Sequence, residues 1–257
     1  MEIDSSMASF SVTQGLIVSQ AEVDFVDIDT ATDNRLYLDP YAIQIRDDQW
    51  SGECGDHIRS FFNEVLDALR AKNDARAVHL LGNLHEPNET FLGQSVGLPS
   101  GRGIGHDKTY VLTSALKSSR AFNTGLLSGI SEAELFIKNI GPDTISDLTT
   151  NVLRGLLADY TLEQCALHGL HTRSISNLGP IWSIQNRDWE SKALLLPLSD
   201  RRPVLLVPKY SVRRTITLNS REFWNHHMIE FLRMEYLRAG GALVRMGHKT
   251  TASFPGF

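Results

Sequence analysis

The sequence predicts an α/β fold, with a mixed β-sheet flanked by helices in a single domain. Helices are indicated by apolar residues that recur at 3.6-residue spacing, as from Ile58 to Leu69. Strands are indicated by short continuous apolar runs at 193–196 and 204–207. Apolar residues make up 42% of the 257 residues and charged residues 21%, so the composition is that of an ordinary globular domain.

The domain boundaries follow from where this periodic pattern begins. Residues 1–20 carry little periodicity and are predicted to be an N-terminal tail. Residues 21–257 are then expected to form one α/β domain. Because the chain ends soon after a predicted strand at 242–246, the hypothesis that this domain is incomplete at its C-terminus stays open.

In the N-terminal half the pattern predicts a hairpin followed by helices. Extended segments at 23–28 and 35–38 are joined by a polar loop. Asp56 is predicted to cap an amphipathic helix that runs through about Ala71, and a short helix or strand is predicted at 75–81. The stretch 83–108 is rich in Gly, Pro, Asn and Ser, so it is predicted to be a long loop.

The middle of the chain is predicted to contain a helix at 108–122 and a strand at 134–137. A Gly-Pro-Asp turn follows the strand, and Ser146 is a natural N-cap for the next helix. Thr161 and Gln164 have the spacing of a capping box, which predicts that a new helix starts there.

The last third is predicted to contain a hairpin and a helix. The apolar runs 193–196 and 204–207 each end in a proline, which should stop a strand, and the polar turn SDRRP lies between them. Ser220 caps an amphipathic helix to about residue 239, which two glycines close.

Charge is unevenly distributed along the chain. The net charge is −5, but residues 1–60 hold twelve acids against three arginines, whereas residues 185–215 hold seven cations against three acids. Such asymmetry favours a phosphate-binding face in the basic part, and the alternative is a role in solubility alone. The predicted phosphate contacts are Arg201, Arg202, Lys209, Arg213 and Arg214.

Several features of the sequence argue against a secreted or membrane-spanning protein. No apolar run approaches the roughly 18 residues that a membrane span needs. The first ten residues hold acids where a secretion signal needs positive charge, and two cysteines are too few for a disulfide scaffold. The predicted location is the cytoplasm, with no membrane partner.

Each cysteine is followed three residues later by a histidine, in the pairs Cys54/His57 and Cys165/His168. A Cys₂His₂ zinc site needs four ligands of this kind around one ion. The alternative interpretation is that Cys165 fills the core as a small apolar side chain.

Two short patches together spell the motif PD…ExK. Pro142-Asp143 follows the strand predicted at 134–137, and Glu190-Ser191-Lys192 opens the run at 193–196. Over these two patches the chain resembles the restriction-endonuclease-like PD-(D/E)xK nucleases. The stretch that carries these patches also resembles uncharacterised bacterial proteins that are found beside phage-defence genes.

The resemblance implies a metal-dependent nuclease. In that family the Asp and Glu hold Mg²⁺ or Mn²⁺, which activates a water molecule against a phosphodiester bond. Asp143 and Glu190 would be these ligands, Lys192 would stabilise the developing charge, and Asp147 on the first helical turn would add a third carboxylate. The gap between Asp143 and Glu190 is longer than in the family, and the alternative is a simple Gly-Pro-Asp turn with Glu190 and Lys192 on a solvated edge.

The function expected from these patterns is that of a metal-dependent nuclease acting on nucleic acid in a bacterial antiviral defence or restriction system. The alternative is a non-catalytic subunit of a defence complex that binds a protein or nucleic-acid partner. Both hypotheses need a basic face, but only the nuclease needs Asp143, Glu190 and Lys192 to converge on one metal ion.

Overall fold

The computed structural model describes residues 9–31, 34–93, 106–119 and 141–214. These residues belong to one compact unit that spans 1–217. The predicted α/β class is confirmed, because helices and short strands both contribute to this unit. Among the described residues the α-helices are α1 (Phe10–Thr13), α2 (Pro40–Gln44), α3 (Gln49–Arg70), α4 (Asp74–Gly82), α5 (His106–Ser118) and α6 (Pro142–His168).

The described strands are short, and they form antiparallel pairs of two rather than one larger sheet. In chain order they are β1 (Tyr37–Leu38), β2 (Arg173–Ile175), β3 (Ile181–Ser183), β4 (Asp188–Glu190), β5 (Leu194–Leu196), β6 (Leu198–Ser199), β7 (Arg202–Pro203) and β8 (Val212–Arg213). β1 pairs with β8, β2 with β5, β3 with β4, and β6 with β7.

Helix α3 begins eight residues earlier than the sequence predicts. Its N-cap is Asp48, whose carboxylate accepts the backbone N–H of Ser51 at 2.9 Å, so the predicted start at Asp56 is wrong. Gly52 and Gly55 lie in the first two turns and interrupt the apolar period there. The rest of the helix buries the predicted apolar face.

Helix α6 is continuous over 27 residues from Pro142 to His168, and Gly169 ends it in the left-handed conformation with φ 65°. The predicted start at Ser146 and restart at Thr161 are both wrong. Both hydroxyls instead make tertiary hydrogen bonds: Ser146 Oγ accepts the Leu38 N–H and Thr161 Oγ1 accepts the Leu206 N–H, each at 2.9 Å.

The core is built around α6, which packs against α2, α3, β1, β3 and β5. Leu153 and Leu157 of this helix are fully buried. Phe10 and Phe25 pack edge to face at 5.9 Å in the same core, which joins the N-terminal segment to it.

The two predicted hairpins are wrong in their pairing. Residues 204–207 are buried but form no described strand, and β5 pairs with β2 instead. The turn at Asp200 and Arg201 joins the two-residue strands β6 and β7, and both turn residues have positive φ, 48° and 65°. In the N-terminal half only Tyr37–Leu38 forms a strand among the described residues, and it pairs with β8.

The strand predicted at 134–137, the helix at 220–239 and the strand at 242–246 lie outside the described residues. Within the described part of the chain, no helix is both long enough and apolar enough to cross a lipid bilayer.

Candidate functional site

The first turns of α6 carry the two predicted aspartate ligands. Asp143 is exposed and Asp147, one turn further on, is half-buried, so both lie on one side of the helix. Gly141 caps the helix and Pro142 occupies its first position, where a missing N–H costs nothing. A carboxylate in this turn is stabilised by the helix dipole, which is a structural reason for Asp143 independent of metal binding.

Glu190 lies on β4, directly opposite Ile181 of β3. Hydrogen bonds from Ser183 and then Asn186, with a smaller electrostatic contribution from Lys192, hold the pKa of Glu190 below its ordinary value. Lys192 is exposed two residues beyond. The carboxylate is therefore anionic at neutral pH and has a cation beside it.

The predicted metal ligands lie on two elements, with Asp143 on α6 and Glu190 on β4. The hairpin that carries Glu190 packs on α6 through β3, where a β-carbon added at Gly155 would lie 3.9 Å from the Ile181 side chain. Asp143 lies twelve residues before Gly155, which is about 18 Å along a helix axis. Among the described residues no three His, Cys, Asp or Glu side chains form a group that could hold a metal ion.

The predicted phosphate contacts divide into exposed and engaged side chains. Arg201, at the β6–β7 turn, and Arg214 are exposed. Arg202 donates to the Thr30 carbonyl and Lys209 donates to the Gln20 carbonyl. Arg213 donates to the carbonyls of Tyr210 and Val212 at 2.9 and 2.8 Å. Three of the five side chains therefore hold the protein's own backbone.

The sequence did not reveal a charged network that lies inside the core. Arg154 of α6 is fully buried, and its guanidinium donates to the Glu89 carboxylate at 3.1 Å and to the Pro180 carbonyl and Asn151 Oδ1, both at 2.8 Å. Asn151 also exchanges two hydrogen bonds with the His85 backbone. The one signal in the sequence was the three-residue spacing of Asn151 and Arg154, which places both on one face of an otherwise apolar helix.

His85 and Gly179 form the outer side of this network. Gly179 has φ 120°, and a β-carbon there would lie 3.1 Å from Arg154 Nη1 and 3.3 Å from His85 Cδ2, so a side chain at this position would be both strained and crowded. Burial, followed by the charge of Arg154, lowers the pKa of the His85 imidazole. A half-buried, neutral imidazole therefore lies beside a buried ion pair.

A second charged cluster fastens the β3–β4 hairpin to α3 and α4. Arg76 donates to Glu64 at 3.3 Å and to Asp188 at 3.0 Å, and it also donates to the Arg187 carbonyl. His79 contacts the other Asp188 oxygen at 2.8 Å. This cluster orients the hairpin, and its charged side chains are paired with one another.

The hairpin is also held by aromatic packing. Trp182 and Trp189 pack on each other with ring centroids 5.5 Å apart, and both contact Phe61. The Trp189 indole N–H donates to the Leu80 carbonyl at 2.9 Å. Glu190 is thus displayed on a rigid hairpin rather than on a loose loop.

The cysteines are both free and buried. Burial raises the pKa of Cys165 to about 11, which makes this thiol a poor metal ligand and a poor nucleophile at neutral pH. His168 packs its ring edge to face on Phe25 at 5.9 Å. The zinc hypothesis therefore gains no support from these residues.

Comparisons with known proteins connect the chain to one family. No curated protein and no solved structure matches it. A family model, described as a domain of unknown function, matches residues 15–219, which contain every described residue from Gly15 onward. This match covers more than three quarters of the sequence, and the chain belongs to the family described as "Domain of unknown function (DUF8370)".

Proposed function

We propose that this chain is a non-catalytic nucleic-acid-binding subunit of a bacterial antiviral defence complex, located in the cytoplasm. The observation that carries the proposal is the charge of residues 171–214, which hold eight cations against three acids. Arg173, Arg201 and Arg214 of this segment are exposed, and in the described part of the chain none of the three has an ion-pair partner. Exposed, unpaired arginines are suited to bidentate contacts with phosphate.

The positions of these arginines support contact with an extended polyanion. Arg173 lies on β2, Arg201 lies at the tight β6–β7 turn, and Arg214 follows β8. Short paired strands hold the first two backbones in place, so less conformational entropy is lost when a phosphate binds. Backbone phosphates carry no sequence information, so we expect affinity without strong sequence preference.

The test is binding of fluorescein-labelled 30-nucleotide DNA and RNA, single-stranded and duplex, measured by anisotropy between 50 and 300 mM NaCl. Three phosphate contacts predict that log K falls against log salt with a slope of about −2 to −3. Replacement of Arg173, Arg201 and Arg214 by Gln should remove most of this slope. No binding to any of the four nucleic acids at 50 mM salt would reject the proposal.

A matched control uses arginines that are exposed but already paired. Arg59 contacts Asp56 and Arg70 contacts Asp67, each within one turn of α3. Their replacement by Gln removes two cations, against three in the test variant, and leaves residues 171–214 unchanged. We expect the salt slope to stay the same, and an equal loss in this control would indicate a non-specific charge effect.

The metal-dependent nuclease is the second proposal, and one observation favours it. Glu190 is held anionic beside Lys192, as a metal ligand next to a charge-stabilising residue would be. Asp143 and Asp147 would provide the remaining carboxylates for Mg²⁺ or Mn²⁺. The separation of about 18 Å along α6 between Asp143 and Gly155 argues against this arrangement.

Cleavage assays separate the two proposals. Plasmid DNA and RNA are incubated with Mg²⁺ or Mn²⁺ and with the wild type, Asp143→Asn or Glu190→Gln. The nuclease predicts cutting by the wild type that both variants lose. The binding subunit predicts salt-dependent binding with no cutting by any of the three proteins.

A further inference from the structure

One exposed arginine in the acidic part of the chain has no partner. Residues 1–60 hold twelve acids and three arginines. Arg46 and Arg59 each form an ion pair with an aspartate two or three residues away. Arg35 is exposed, and the described part of the chain contains no ion pair or hydrogen bond of its side chain. A cation that stays unpaired among so many acids is available for a charged ligand.

We propose that Arg35 is a phosphate contact of the nucleic-acid-binding surface, and that this surface runs from the β6–β7 turn to the end of β8. The inference rests on the proposed nucleic-acid binding and extends it to a residue outside the basic segment 171–214. The charge distribution of the sequence gives no indication of Arg35, because the residues around it carry a net negative charge.

The β1–β8 pair brings Arg35 close to Arg214. Tyr37 of β1 lies opposite Arg213 of β8 in an antiparallel register. Arg35 precedes Tyr37 by two residues and Arg214 follows Arg213 by one, so both arginines lie at the same end of this pair. Consecutive Cα atoms are about 3.8 Å apart and paired ones about 5.5 Å, so the Cα atoms of the two arginines lie within about 17 Å of each other. One strand of duplex DNA presents a phosphate about every 3.4 Å along the axis, so this distance corresponds to about five nucleotides.

Asn34 connects Arg35 to the β6–β7 turn. The Asn34 backbone N–H and its side-chain amide both donate to the Phe91 carbonyl at 2.9 Å. The Arg202 guanidinium lies 4.6 Å from the centre of the Phe91 ring, and the exposed Arg201 is the residue before it. Phe91 therefore contacts both the turn that carries Arg201 and the residue that precedes Arg35.

Hydrogen bonds on several sides of Asn34 fix the backbone immediately before Arg35. The Asn34 carbonyl accepts the Gly93 N–H at 3.0 Å. The Asn34 side chain accepts the Asp29 N–H at 2.9 Å and donates to the Asp29 carbonyl at 3.0 Å. Because this backbone is already ordered, less conformational entropy is lost when the Arg35 side chain binds a phosphate.

Two acids lie near this surface, and neither neutralises its exposed arginines. The Asp29 carboxylate accepts the Ala31 N–H at 2.8 Å, and Asp200 is the residue before Arg201 in the turn. In the described structure neither acid forms an ion pair with an exposed arginine of the surface. The guanidinium groups are therefore available for charge-assisted hydrogen bonds to phosphate oxygens.

The test is the salt dependence of binding by Arg35→Gln, measured by anisotropy with the same fluorescein-labelled DNA and RNA. Loss of one phosphate contact should reduce the slope of log K against log salt by about 0.7–0.9. Lys72→Gln is the matched control, because Lys72 is exposed and unpaired in the part of the chain that the structure describes, and it follows the C-terminal end of α3, outside the proposed surface. The slope of this control should equal that of the wild type.

Chemical labelling provides a second measurement that needs no variant. Phenylglyoxal modifies accessible arginine side chains, and peptide mass spectrometry of the full chain gives the rate of modification at each position. Bound nucleic acid should slow the modification of Arg35 as it does that of Arg201 and Arg214. Arg70, which is exposed at the end of α3, should react at the same rate with and without nucleic acid.

The outcomes separate this inference from the function on which it rests. A wild type that binds none of the nucleic acids would overturn both. An unchanged salt slope in a folded Arg35→Gln protein, beside a reduced slope in Arg201→Gln, would overturn the inference alone. Undiminished modification of Arg35 in the complex, with Arg201 protected, would do the same. Circular dichroism identifies a variant that fails to fold, and the labelling of the wild type then decides.

Discussion

Arg154 donates a hydrogen bond to Glu89 over 3.1 Å inside the core, where the two side chains are 0% and 6% exposed. The same guanidinium reaches the Pro180 carbonyl and Asn151. One side chain of α6 therefore links the segment that follows α4 to the segment that precedes β3. The Glu89 backbone carbonyl extends the link, because it accepts the Leu205 N–H at 2.8 Å.

Replacement of Arg154 by Met should be strongly destabilising. Methionine keeps much of the volume, but Glu89 would be left as a buried carboxylate without its cation. Removal of one partner from a buried ion pair typically costs about 3–5 kcal/mol in the free energy of unfolding. Urea denaturation followed by circular dichroism measures this change.

The control for this prediction restores neutrality. The double variant Arg154→Met with Glu89→Leu removes both charges, so it should recover much of the lost stability. Arg173→Met, at an exposed position of β2, should change stability by less than about 0.5 kcal/mol. A loss below about 1 kcal/mol in the single Arg154 variant would mean that the pair contributes little.

Gly179→Ala is predicted to be destabilising, because the added β-carbon would be crowded and the backbone conformation disfavours a side chain. A β-carbon would lie 3.1 Å from Arg154 Nη1 and 3.2 Å from its Cζ, and φ is 120°. Non-glycine residues in such conformations cost about 1–3 kcal/mol before any clash is added. The measurement is again the free energy of unfolding in urea.

Gly52→Ala is a matched substitution with the opposite expected sign. Gly52 lies within α3 and is exposed, and a β-carbon added there would meet nothing within 4 Å. Alanine there should stabilise the protein by about 0.5–1 kcal/mol, because glycine is a poor helix former. If both variants shifted stability in the same direction, the crowding at Gly179 would not be the cause.

The predictability of this fold from sequence depended on where side chains make their hydrogen bonds. The amphipathic part of α3 was evident from its period, whereas the capping residues of α6 were misleading. Ser146 and Thr161 have the residue types of N-caps, but their hydroxyls bind the backbones of Leu38 and Leu206. A sequence pattern reports local capacity for a hydrogen bond and cannot report a partner 108 or 45 residues away.

The candidate sites were less predictable than the fold for a similar reason. Arg201 and Arg202 are adjacent in sequence and equivalent in charge, yet one is exposed and the other is engaged with Thr30. The Arg154–Glu89 pair depends on a contact between residues 65 apart. The composition predicts the basic segment, but only the structure shows which of its cations are exposed and which donate to backbone carbonyls.

The stability of the hairpin is predicted to depend on pH through Asp188. Burial raises the pKa of this carboxyl, but hydrogen bonds from His79, the Trp189 N–H and Arg76 outweigh it and lower the pKa from 3.8 to about 2. A depressed pKa in the folded state contributes stability above the unfolded value, and this contribution is lost as pH falls from about 4 to about 2. Because the side chain is 40% exposed, solvent screening limits the effect to about 1 kcal/mol or less.

The measurement compares the free energy of unfolding at pH 2–7 for the wild type and Asp188→Asn. The wild type should lose its advantage over the variant between pH 4 and pH 2. Asp159→Asn serves as the control, because Asp159 is exposed on α6 and no ion pair of it is found in the described structure. A constant difference between wild type and Asp188→Asn across this window would contradict the assignment.

The neighbouring residues Arg201 and Arg202 should respond differently to the same substitution. Arg201→Gln removes an exposed cation, so it should weaken nucleic-acid binding and reduce the salt slope by about 0.7–0.9. Its effect on stability should stay within about 0.5 kcal/mol. Arg202→Gln removes the bond to the Thr30 carbonyl and the stacking of the guanidinium 4.6 Å from the centre of the Phe91 ring. It should therefore cost about 1–2 kcal/mol of stability.

Each variant is measured in two ways. Anisotropy titrations over a range of NaCl concentrations give the salt slope, and urea denaturation gives the stability. The expected pattern is a binding defect for Arg201→Gln and a stability defect with an unchanged salt slope for Arg202→Gln. If Arg202→Gln reduced the salt slope by as much as Arg201→Gln, its guanidinium would have to leave Thr30 and Phe91 when nucleic acid binds. Equal slopes in both variants and the wild type would instead move the phosphate contacts away from the β6–β7 turn, to Arg173 and Arg214.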